Sequence, residues 1–276
     1  MTVAFALSDV SLTVAQAATV ALPTNPRLPG LAALRSRWWA AAPPLAIGGF
    51  ALLIRAEPSA ALALGYAALI GLPPLAAFAL ARAVPSAQAR GALLVPPLFA
   101  LAWAAPRALP GEAAALALST LAAVALAVLL TQLVPTGWLM VGMGLMAGLD
   151  ATLVASNVLQ PADHLLRHAT PAGLPRLQTT VLGSAVCGFG DLFAAALLGA
   201  VLAAKGRNQL KAAALTLVLA LAFDTLFLVV HDLPATVPVA AAMGLMELRR
   251  RVRSRRRRAE PLATGRQAAP ATAPAG

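Results

Sequence analysis

The chain has 276 residues, of which 60% are hydrophobic and 11% charged, with a mean hydropathy of +0.80. A soluble domain carries about a quarter charged residues, so this composition excludes a water-soluble globular fold. The net charge is +11, and eight of the 21 basic residues gather in one run, Arg249–Arg258, followed by an Ala/Pro-rich end; that placement favours a membrane-orientation anchor touching anionic lipid and argues against nucleic-acid binding.

Residues 1–38 come first. "MTVAFALSDVSLTVAQAATVAL" lacks a basic n-region and carries Asp9, so it reads as an interfacial segment or a weak extra span, not as a cleaved signal peptide. Eight apolar blocks then approach the roughly 20 residues needed to cross hydrocarbon. Four lie in residues 39–135, at 39–54, 58–82, 91–105 and 112–133. Four more lie in residues 136–248, at 136–159, 177–203, 209–231 and 233–248. The expected fold is an all-α polytopic membrane protein of eight transmembrane helices, or nine if the N-terminal segment also crosses.

Proline pairs Pro43-Pro44, Pro73-Pro74 and Pro96-Pro97 are expected to interrupt the first three spans. The last span opens with Pro234 and Pro238, which predicts irregular backbone at its start. Arg82 with Arg90, Lys205 with Arg207 and Lys211, and the tail fall on one side, with Arg27, Arg35 and Arg37. The positive-inside rule puts both ends in the cytoplasm, in a cytoplasmic membrane of bacterial type. Residues 249–276 read as a basic, disordered cytoplasmic tail. Cys187 is the single cysteine, so there is no intrachain disulfide.

Among ten acidic residues, Asp150, Asp191 and Asp224 lie deep in apolar blocks. A carboxylate at the bilayer centre costs about 2.5–3.5 kcal/mol on insertion scales, which makes each a functional candidate. Asp150 and Asp191 sit on consecutive spans joined by a short loop, so their helices are expected to be antiparallel neighbours with both acids near the midplane. Facing carboxyls would share one proton. One could then draw a proton from water while the other polarises a carbonyl under attack, hydrolysing an amide without metal, cofactor or covalent intermediate. Gly188 and Gly190 leave room for a substrate backbone beside Asp191. An unwound substrate could bind as an added strand, with "LPATVP" (233–238) as a wall of the cleft.

"GFGD" at 188–191 resembles the GxGD motif of intramembrane aspartyl proteases, the presenilin and signal peptide peptidase group. In that family the first catalytic Asp lies on the preceding span, often after Tyr, and a Pro-Ala-Leu motif opens the last span. Asp150 after Leu149, and Pro234-Ala235-Thr236, stand at the matching places over residues 137–248. The resemblance implies an aspartic endopeptidase acting on transmembrane peptides, with Asp150 and Asp191 catalytic and Gly188, Gly190, Pro234, Ala235 and Thr236 shaping the substrate site. "GDLFAAALLGA" is more distantly similar to type IV prepilin peptidases, which usually carry Lys where this chain has Phe193.

The competing reading is a proton- or cation-coupled transporter using Asp150, Asp191 and Asp224 as a relay. An inactive protease homologue is a third. Asp224 also has a packing explanation, a hydrogen bond through Thr225 or a buried water. Asp163, His164 and His168 carry an i, i+4 histidine spacing that can hold a metal, though no further ligand is evident. Ser156 and Asn157 read as polar contacts between helices.

Overall fold

Backbone within hydrocarbon must satisfy its own polar groups, and the apolar blocks do so as helices. The computed structural model describes residues 3–57, 59–156, 173–228 and 233–264. Among them run α1 (Val3–Thr19), α2 (Ala42–Ala56), α3 (Ala60–Phe78), α4 (Val95–Ala104), α5 (Leu109–Leu133) and α6 (Thr136–Ala155). A hairpin follows, β1 (Thr179–Leu182) and β2 (Ala185–Gly188), then α7 (Phe189–Ala204), α8 (Gln209–Asp224) and α9 (Thr236–Thr264). With their adjoining short turns, five helical segments are long and apolar enough to cross a membrane: Arg37–Ala56, Ala60–Ala83, Leu109–Leu133, Thr136–Ala155 and Gln209–Phe227. Ala89–Ala104 and Phe189–Ala204 are apolar but shorter.

The centre of the bundle is α5 against α7. Ala122, Ala123, Ala125 and Ala127 of α5 and Ala194, Ala195, Ala196 and Ala200 of α7 are all buried. Small side chains let the two backbones approach closely, which is how helices gain packing in lipid. The flanking helices α3 and α4 pack on α5, while α1, α6 and α9 surround α7. Leu62, Tyr66 and Ile70, spaced one turn apart on α3, stay exposed as an apolar stripe.

Three sequence expectations change. Two of the proline pairs start helices instead of interrupting them: Pro43-Pro44 and Pro96-Pro97 occupy the first turns of α2 and α4, where a missing N–H is harmless. Only Pro73-Pro74 falls inside a helix, and a π-turn at Ala79–Ala83 follows α3. The block 177–203 is not one helix. Thr179, Thr180, Val181 and Val186 favour strand, and Gly183-Ser184 closes a two-residue loop with Gly183 at φ +62°.

One side of the N-terminal helix packs against the bundle, while Val3, Leu7, Val10 and Val14 stay exposed. Leu12, Ala17 and Val20 are buried, as are the polar Thr13, Gln16 and Thr19. Val20 O presses so closely on Gly199 of α7 that a Cβ there would collide with it. The Gln209 amide fastens this junction, donating to Pro23 O (2.7 Å) and Gly199 O (3.1 Å). The basic tail also departs from expectation, since α9 stays helical to Thr264. Arginine is a strong helix former, and extending an existing helix needs no new nucleus.

Candidate functional site

Asp150 lies on α6 and Asp191 in the first turn of α7. The two helices pack together and run antiparallel, with the start of α6 beside the end of α7: Lys205 Nζ is 2.8 Å from Met140 Sδ. Counted from that contact at 1.5 Å rise per residue, Asp150 lies about 15 Å beyond Met140 and Asp191 about 21 Å before Lys205, so both acids fall toward the far ends of the paired helices.

Each carboxyl is held by a different device. The Thr236 hydroxyl donates to Asp150 Oδ2 at 2.6 Å, and Thr236 is only 2% exposed. Where the resembled family carries leucine, this chain carries a hydroxyl that reaches the acid. Asp191 is the third residue of α7, and its Oδ2 accepts from the Gly188 N–H at 3.1 Å. That is the return half of a helix-capping arrangement, and it accounts for one oxygen of Asp191 on structural grounds alone. The Cys187 thiol lies 3.9 Å from the same oxygen.

Gly188 and Gly190 play different parts. Gly188 ends β2 in extended conformation and supplies the N–H to Asp191. A Cβ added at Gly190 would meet no atom of the described residues within 4 Å. Packing among those residues therefore does not require glycine there.

The Pro-Ala-Thr stretch is drawn to both acids. Pro234 and Ala235 precede α9, and Ala235 O accepts from the Gln16 side-chain amide at 3.1 Å. The same Gln16 nitrogen lies 3.3 Å from Asp191 O. Thus Asp191, Ala235, Thr236 and Asp150 form one connected constellation, with Gln16 of α1 as a member that the sequence did not single out. Nothing in sequence spacing marks it, because its two partners lie 175 and 219 residues away.

No family model, curated protein or solved structure matches the chain.

The hairpin leads directly into the site. Its turn is anchored by Gly183 N donating to Glu112 Oε2 (2.7 Å) at the start of α5 and by Ser184 N donating to Ser8 Oγ (3.2 Å) on α1. Thr180 Oγ1 donates to Cys187 O across the strands. As a two-stranded sheet it presents unpaired edge backbone, with β1 against α5 and β2 against α1 and α7.

Asp224 is tied elsewhere. Thr13 Oγ1 of α1 donates to its Oδ2 at 2.9 Å, whereas Thr225 bonds to Ala222 O in its own helix. The packing partner is thus Thr13, not Thr225. Ser156 likewise bonds within α6, to Thr152 O and Leu153 O, instead of across helices. Asn157, Asp163, His164 and His168 lie outside the described residues. Among the described residues no group of three His, Cys, Asp or Glu is placed to hold a metal.

Proposed function

We propose that the protein is an intramembrane aspartic protease that hydrolyses peptide bonds of transmembrane segments through Asp150 and Asp191. The observation that carries this reading is the convergence of three sequence-distant stretches. Asp150, GFGD and Pro-Ala-Thr are linked by the Thr236 and Gln16 hydrogen bonds, on helices that pack together.

In this reading one ionised carboxyl takes a proton from water as its oxygen attacks the peptide carbonyl carbon. The other, protonated, carboxyl donates to the carbonyl oxygen. The tetrahedral intermediate collapses as a proton passes to the leaving amide nitrogen, the C–N bond breaks, and the dyad regains its starting protonation. The Thr236 hydroxyl fixes one oxygen of Asp150 beside the attacking water. An unwound substrate adds as a strand beside the hairpin, with its backbone near Gly190. Eight spans with both ends cytoplasmic, and the basic end of α9 on anionic lipid, complete the arrangement.

The test is co-expression with a tagged single-span membrane protein. Fragments should appear with the natural chain and vanish in Asp150→Asn and in Asp191→Asn, each produced at the same level. Fragments persisting in either variant would end the proposal.

One observation keeps the transporter reading as a second possibility. Thr13 and Gln16 are three residues apart on α1, so Asp224 is attached about one helical turn from the Asp191 contact. Proton-coupled flux in vesicles that is lost on Asp224→Asn would favour a relay of three acids.

A further inference from the structure

We infer that Gln16 is a positioning residue that sets the spacing between Asp150 and Asp191; this rests on the protease reading above. Gln16 is 5% exposed, on the α1 face that meets α7 and α8. Both of its neighbours are backbone carbonyls, which only accept, so the amide nitrogen and not its oxygen must face them. A primary amide has two N–H donors, one for Asp191 O and one for Ala235 O.

These two carbonyls sit at informative places. Asp191 O belongs to the residue that carries one acid. Ala235 O immediately precedes Thr236, whose hydroxyl holds the other acid. Gln16 therefore clamps the backbones of both halves of the site from a third helix. α7 and α9 also pack on each other, and Gln16 adds a hydrogen-bonded link between their backbones at the level of the two acids' own stretches. The clamp also explains why α1, which lies outside the motif-bearing region, is buried polar at Gln16 instead of uniformly apolar.

The decisive variant is Gln16→Met, which keeps length and volume but removes both donors. In purified full-length protein with a transmembrane peptide substrate, kcat per folded molecule should fall roughly hundredfold, the scale of a displacement of about 1 Å in a catalytic site. KM should stay essentially unchanged, since the substrate's own contacts are untouched. A merely structural role would lower folded yield and unfolding temperature while leaving kcat per folded molecule intact.

Gln16→Glu keeps the shape and, when protonated, a single donor, so its kcat should lie between the two. If the methionine variant does not fold, the glutamate variant decides: a lowered kcat supports the clamp and a wild-type kcat overturns it. Asp150→Asn and Asp191→Asn are run alongside. Cleavage surviving in either overturns the protease reading itself. Wild-type kcat in Gln16→Met, with both asparagine variants dead, overturns the clamp alone.

Discussion

Replacing Thr236 with valine removes one hydroxyl and little else. Its Oγ1 lies 2.6 Å from Asp150 Oδ2, within the range of about 2.5–2.7 Å typical of a hydroxyl donating to a carboxylate. Hydrogen bonds to charged groups contribute about 1.5–3 kcal/mol, and the near-complete burial of Thr236 leaves no bulk water to replace the donor. If that energy orients Asp150 in the transition state, Thr236→Val should lower kcat roughly ten- to hundredfold, at about 1.4 kcal/mol per decade. The unfolding temperature should also fall, because the buried carboxyl loses its side-chain donor. Thr236→Ser keeps the oxygen and should recover most of the rate. The assay is cleavage of a labelled transmembrane peptide in micelles, normalised to folded protein by a parallel thermal melt. Valine cleaving at the natural rate, or serine as slow as valine, would refute a role for this hydroxyl in the site.

Other substitutions separate chemistry from packing. A Cβ at Gly190 meets no described atom within 4 Å outside its own turn, so Gly190→Val should fold normally yet cleave a helical membrane substrate poorly, while a short extended peptide is partly spared; equal cleavage of both at the natural rate would remove Gly190 from the substrate path. Asp224→Asn keeps an acceptor for Thr13 and should leave both the melting temperature and cleavage close to wild type, whereas loss of cleavage would enlarge the dyad to three acids. Gly183→Val forces a β-branched residue to φ +62° and drives its Cβ against Ser8 Oγ, so it should destabilise the hairpin by about 1–3 kcal/mol, read as a lowered thermal midpoint in detergent.

The parts of this site legible in the sequence are those marked by rarity. An acid inside an apolar block stands out, and Asp150, Asp191 and Asp224 were visible for that reason alone. GFGD and LPATVP were visible as motifs. The hairpin was hidden because apolar strand and apolar helix look alike in a hydropathy window; only Gly183-Ser184 between β-branched runs marked the turn. Proline was legible as a helix punctuator but ambiguous in sense, since the same pair can break a helix or begin one. Gln16 was beyond reach. Its contribution arises from tertiary contact with residues that close only when α1 packs beside α7 and α9's opening turn, and one glutamine in a weakly apolar helix carries no trace of that.

Purified full-length protein in lipid vesicles, given a transmembrane peptide labelled at both ends, tests directly whether Asp150 and Asp191 form a hydrolytic pair. Mass spectrometry of the products in ¹⁸O-water should show a single cut with one ¹⁸O in the new carboxyl group. Neither Asp150→Asn nor Asp191→Asn, folded to the same extent, should yield that product. An intact peptide with the natural protein, or the same labelled product from either variant, would contradict the assignment.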